Sequence, residues 1–173
     1  MLLHQGIGLE VFNELPSPKA VHALYECCNS VALSCELARS RPYASRDQLF
    51  RRADALLFAA PEEAIDLVLE AYPHVGARPR STRSQAEQCS VWDERTQVMA
   101  ELISAAGRYA AHFGFGFVIY ADGLGADEVL LAIAYRLHHD ADIERKVRRN
   151  ELAKLNRARL ERMLGPEGGY DNW

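Results

Sequence analysis

The chain has 173 residues, 49% hydrophobic and 25% charged, with a formal net charge of -4. That length suits one domain around one core, and the composition excludes a disordered chain. The slightly acidic balance gives no basis for a nucleic-acid or acidic-membrane partner, and no apolar run approaches the ~20 residues a membrane helix needs.

The periodicity is helical almost throughout. Ser17 and Pro18 predict a helix start, with serine as the cap and proline at the first helical position; Val21, Leu24, Tyr25 and Cys28 then form one apolar stripe. A second helix is expected from Ser30 towards Arg39, ending before Pro42. Ser45 and Gln48 form a capping box ahead of Leu49, Ala53, Leu56 and Leu57. Pro61, Glu62 and Glu63 open the next helix, whose buried face is expected to carry Ile65, Val68, Leu69 and Tyr72.

From Pro73 to Arg83 the pattern breaks, and irregular stretches of this length often carry function. Ser84 and Glu87 then read as a capping box at a helix start. Met99, Leu102, Ile103, Ala106, Ala110 and Phe113 mark a long helix that stops before Gly114. Phe115 to Tyr120 reads as an extended run too isolated to build a sheet. A helix over Ala126 to His139 follows, then a last one over about Ile143 to Leu164, closed by Gly165 and Pro166. Residues 166–173 are expected to be a flexible tail.

Cys27, Cys28 and Cys35 lie close together and suit apolar packing better than a disulfide framework, which points to a cytoplasmic protein with reduced thiols. The N-terminus lacks a basic segment followed by an apolar core, so no signal peptide is expected, and the C-terminus has no peroxisomal tripeptide. The pair His138-His139 sits poorly for one metal, because neighbours on a helix diverge by about 100°. Both histidines read as helix C-terminal residues favoured by the dipole. Phosphate-loop and dinucleotide fingerprints are absent.

Arg159 is the most informative charge. On a 3.6-residue wheel it falls between Leu155 and Met163, on the face of Leu152. A guanidinium there pairs with a protein carboxylate, grips a ligand carboxylate through two parallel bonds, or snorkels to solvent. Arg145, Lys146, Arg148, Arg149 and Lys154 alternate with Glu144 and Glu151 and read as a solvated face. Glu87 is either a cap or, facing the irregular loop, a general acid or base.

An ordered series of short blocks runs along the chain. These are Asn13-Glu14-Leu15, Cys27-Cys28-Asn29-Ser30, Arg41-Pro42-Tyr43, Glu87-Gln88, His112 to Phe117, Arg136-Leu137, and Leu155 with Arg159-Leu160. In this order they resemble the 2-oxo-4-hydroxy-4-carboxy-5-ureidoimidazoline (OHCU) decarboxylases of urate breakdown. The resemblance implies an all-α, single-domain helical bundle over residues 1–173 that often forms homodimers and uses no metal or organic cofactor. Its substrate would be a small molecule, the ureidoimidazoline converted to S-allantoin and carbon dioxide. Carried over, the catalytic positions are Tyr72, Glu87 and Arg159. The substrate-binding positions are Pro73, His74, Ser84 and Gln88, with the backbone around Phe117, Ile119 and Ala121.

Two departures stand out. The family's His-Pro-Arg-x-Gly block reads Tyr72-Pro73-His74-Val75-Gly76, and Val31 and Leu33 replace an arginine and a tryptophan. Tyrosine donates a hydrogen bond, but a reference pKa of ~10 makes it a poor proton shuttle near neutrality. Loss of a positioned acid–base group costs about 10² to 10⁴ in rate. His74 could substitute only along a changed loop path. Three readings therefore stay open: the family reaction, an enzyme repurposed to another carboxylated substrate, and a paralogue without turnover.

Overall fold

In the computed structural model, residues 6–72, 75, 91 and 93–166 are described. They form α1 (Leu9–Glu14), α2 (Ser17–Cys28), α3 (Val31–Arg39), α4 (Arg46–Ala59), α5 (Glu62–Glu70), α6 (Thr96–Phe113), α7 (Ala126–Arg136) and α8 (Ala141–Leu164). The fold is all-α, and no strand occurs among the described residues. The chain divides into two compact units, Met1–Val68 with Ala153–Trp173, and Leu69–Leu152.

In the first unit, the core gathers Phe12, Leu24, Leu37 and Leu49 with Leu160 and Leu164. Helix α1, six residues long, is too short to show a period and was not expected from the sequence. Ser17 is the first residue of α2 and Pro16 its cap, so no side chain caps this helix as had been expected of Ser17. The stripe of α2 is also rotated: Ala20, Leu24, Cys27 and Cys28 are buried, whereas Tyr25 is exposed. Ser30 and Ser45 cap α3 and α4 as predicted, accepting from the N–H groups of Leu33 and Gln48 at 3.3 and 3.2 Å. The return bond of the second box comes from Ala44, whose N–H donates to Gln48 Oε1 at 2.7 Å.

The ends of this unit are tied by backbone. The N–H groups of Ile7 and Gly8 donate to Met163 and Leu164, each at 2.9 Å. Gly6 lies so close to Gly165 that an added Cβ would stand 2.2 Å from its Cα, a contact only glycine permits. Gly165 ends α8 as the sequence predicts, and Arg46 donates to the carbonyls of Gly165 and Pro166. Residues 167–173, the rest of the expected tail, lie outside the described residues.

Two of the sequence blocks meet in a clasp. Asn13 Nδ2 donates to the Tyr43 carbonyl, and Tyr43 N–H donates to Asn13 Oδ1, both at 2.9 Å. Arg41, before the cis bond to Pro42, lies over the Phe12 ring and donates to the carbonyls of Phe12 and Leu15 at 2.8 Å. The Phe12 carbonyl also accepts from the Leu15 N–H at 3.3 Å, so Arg41 adds a second bond at the end of α1.

In the second unit, Met99, Leu102, Ala105 and Tyr109 of α6 pack with Phe117, Val129 and Ile133. Ile103 and Ala134, placed on buried stripes by the sequence, are exposed. Left-handed Gly114 stops α6, and residues 116–121, the segment the sequence reads as extended, follow without regular secondary structure. Helix α7 ends at Arg136, three residues before the predicted stop, and His138 Nδ1 bonds the Ala134 carbonyl at 2.9 Å.

The face of α8 read as solvated is a correction. Glu144 is 0% exposed, Arg148 2% and Arg149 8%, so three of its charges are core residues. Glu144 accepts from Arg136 Nε and Nη2 at 3.0 and 2.8 Å, from the Tyr109 hydroxyl, and pairs with His139 Nδ1 at 2.8 Å. Arg136 also lies over the Phe117 ring, 4.4 Å from its centroid, and Arg148 lies 4.0 Å over Phe115. Burial by itself would raise the Glu144 carboxyl, but the hydrogen bonds of Arg136, Tyr109 and His139, with the Arg136 charge, hold it below its ordinary value. Burial and the Glu144 bond push the Tyr109 phenol well above its usual range.

Two stability outcomes follow. Asn13→Ala removes both bonds to the Tyr43 backbone and is expected to cost about 1–3 kcal/mol, read from urea unfolding. Glu144→Ala strands the Arg136 charge and is expected to cost about 3–5 kcal/mol in the same measurement. Because the folded carboxyl titrates below its ordinary 4.5, its contribution is complete above that pH and is lost as pH falls through the lower folded value. Acid-unfolding curves of Glu144→Gln should therefore be flatter than wild type below pH 4.5.

Candidate active site

Arg159 is 5% exposed, so the wheel places it correctly and it does not snorkel to solvent. Its seat is the Cys27-Cys28-Asn29-Ser30 block. Arg159 Nη1 donates to the Cys27 carbonyl at 3.4 Å, and Cys27 Sγ donates back to the Arg159 carbonyl at 3.6 Å. Burial and neighbouring Cys27 push the Cys28 thiol far up, against the opposing charge of Arg159, so it stays protonated and unreactive. Left-handed Asn29 ends α2, and Ser30 starts α3. The block thus fixes a helix–turn–helix corner and carries a carbonyl that holds one arm of the guanidinium.

Tyr72 follows α5, is 7% exposed, and donates its N–H to the Leu69 carbonyl at 3.1 Å. It belongs to the second unit, as do Phe117, Ile119 and Ala121, whereas Arg159 belongs to the first. Pro73, His74, Ser84, Glu87 and Gln88 lie outside the described residues.

The extended segment has defined anchors. Phe117 and Ala121 are buried, and the Phe117 ring meets Tyr109 edge-on at 5.1 Å. The Val118 carbonyl accepts from Arg136 Nη1 at 2.7 Å, and Tyr120 N–H donates to Glu151 Oε2 at 2.7 Å. Among the described residues, no hydrogen bond engages the N–H or C=O of Ile119 between them. A half-buried peptide edge of this kind can donate to and accept from a polar ligand.

The bonds of Arg136 to Glu144 and of Glu151 to the Tyr120 N–H were not expected from the sequence. Extending the stripe of Leu152 back in steps of four reaches Arg148 and Glu144, a signal for their burial but not for Arg136 or Glu151. Among the described residues, no group of three or more His, Cys, Asp or Glu could hold a metal ion. Nor is any described helix long and apolar enough to cross a membrane.

Known proteins add a direct comparison. The family model for OHCU decarboxylase matches residues 13–161. A 2-oxo-4-hydroxy-4-carboxy-5-ureidoimidazoline decarboxylase of Haloferax volcanii is 28% identical over 93% of this chain and 98% of its own length. A uric acid degradation bifunctional protein of Bacillus sp. (strain TB-90) is 25% identical over 90% of this chain. This chain spans only about a third of that protein, 32%. A crystal structure of OHCU decarboxylase in the presence of (S)-allantoin superposes with a TM-score of 0.71 at 21% identity, covering 81% of this chain and 95% of that one. One of (S)-allantoin synthase gives 0.73 at 16% identity, covering 91% and 54%. At such identities the two structures speak for the fold alone. The family match takes in most of the chain, from the Asn13 clasp to the arginine seated on Cys27, and with it the protein belongs to the OHCU decarboxylase family.

Proposed function

We propose that this protein is a decarboxylase of urate degradation, converting 2-oxo-4-hydroxy-4-carboxy-5-ureidoimidazoline to S-allantoin and carbon dioxide. The observation that carries the reading is the family match over residues 13–161, and buried Arg159, at the position the resemblance gives to a last-helix arginine, supports it. A buried guanidinium is suited to hold a carboxylate or ring oxygen, because its planar fork gives two parallel charge-assisted bonds. Loss of carbon dioxide leaves an electron pair on the ring, which a fixed positive charge and donors stabilise before a proton is returned.

Within this reading Arg159 grips the substrate, Glu87 moves the proton, Gln88 helps orient the ureido group, and Pro73 and Ser84 are substrate-binding residues. The free peptide edge at Ile119, between Phe117 and Ala121, orients the ureido group. Tyr72 stands where the resemblance puts a histidine and supplies a hydrogen bond, with His74 two residues on. No metal or organic cofactor is required. The enzyme is cytoplasmic and forms a homodimer.

The Tyr72 substitution supports a second reading, in which the same carboxylate-gripping site serves a different carboxylated substrate.

One set of assays separates the two. Freshly generated ureidoimidazoline is offered to wild type, Tyr72→His and Arg159→Ala. The first reading expects turnover by wild type, a rise in kcat for Tyr72→His, and a loss of about 10²-fold or more in kcat/KM for Arg159→Ala. An inert wild type that gains activity as Tyr72→His supports the second. Wild type and Tyr72→His equally inert and without affinity for (S)-allantoin would sink the pathway assignment.

A further inference from the structure

Peptide geometry gives the anchors of the extended segment a role beyond packing. The Val118 carbonyl shares its planar peptide group with the Ile119 N–H, and the Tyr120 N–H shares the next one with the Ile119 C=O. Both links are trans, since among the described residues the cis bond is Arg41–Pro42. In a trans peptide the N–H and C=O point in opposite directions. Fixing the Val118 oxygen on Arg136 at 2.7 Å therefore aims the Ile119 N–H to the other side. Fixing the Tyr120 N–H on Glu151 at 2.7 Å aims the Ile119 C=O away from Glu151.

The clamps also act electronically. A cation on a peptide oxygen polarises that group and makes its N–H a stronger donor. A carboxylate on a peptide N–H makes the C=O a stronger acceptor. Arg136 serves the first peptide, and its own charge and orientation are fixed by Glu144 and the Phe117 face. Glu151 serves the second. Opposite charges on the two flanking peptides thus sharpen both polar groups of the residue between them.

We propose that Arg136 and Glu151 are positioning residues that aim and polarise the two peptide groups at Ile119, so that one residue binds a ligand group presenting an N–H and a C=O side by side, as an amide or ureido group does. This rests on the decarboxylase reading for its substrate, but the clamp is testable without turnover. Neither residue touches the substrate; each acts through the backbone.

The test compares Glu151→Gln, which keeps an acceptor oxygen, with Glu151→Ala, which removes it. Glu151→Ala is expected to lose about tenfold or more in kcat/KM on the ureidoimidazoline, and Glu151→Gln to recover most of that loss, with both variants melting together. Arg136→Lys, which keeps the charge but lacks the fork shared between Glu144 and Val118, should lose activity in the same way. Equal kcat/KM for Glu151→Gln and Glu151→Ala overturns the proposal, as does a loss that tracks melting temperature alone. If wild type fails to turn over, the decarboxylase reading fails separately, and (S)-allantoin titrations read at the Ile119 amide resonance decide the clamp. Faster amide exchange and weaker response in Glu151→Ala than in Glu151→Gln supports it, and identical behaviour overturns it.

Discussion

A carboxylate with no exposed surface organises the second unit of this protein. Glu144 has traded water for two Arg136 bonds, the Tyr109 hydroxyl and His139, and only a set this complete offsets the loss of hydration. The consequences spread outward through Arg136, which is held at once by Glu144, by the Phe117 face and by the Val118 carbonyl. Helices α6, α7 and α8 and the extended segment therefore share one electrostatic knot. A disturbance at any of its members reaches the backbone at residues 117–121.

The first unit is organised differently, by side chains that satisfy backbone groups. Asn13 closes on Tyr43, Arg41 collects carbonyls at the end of α1, Arg46 collects those beyond α8, and Arg159 takes the Cys27 carbonyl. Such side-chain bonds to backbone atoms fix the chain path at the corners they join.

Much of this architecture was legible in the sequence because its signals are local. Serine caps at 30 and 45 and stops at Gly114 and Gly165 each follow from a few neighbouring residues. Helix α1 escaped because six residues hold less than two turns of pattern. Tyr25, Ile103 and Ala134 were misplaced because which edge of a wide apolar stripe is covered depends on neighbours distant in the chain. The charged run of α8 was misread for the same reason: alternation of sign is shared by a solvated helix and by a buried ion-pair ladder. Arg159 was legible because its stripe is otherwise apolar, whereas Glu144 and Glu151 are separated in sequence from the Arg136 and Tyr120 groups they bind. The chemistry of Glu87, Gln88, Ser84, Pro73 and His74 rests on resemblance.

The clasp of Asn13, Arg41 and Tyr43 has a consequence for how such chains are recognised. These are among the residues that carry the family resemblance, and their bonds close a corner of the scaffold. Position 72 lies outside that corner, so exchange of its ring leaves the fingerprint of the fold intact. Part of the family's signature is thus structural, and a scaffold of this kind can change one position of its chemistry while still carrying that part.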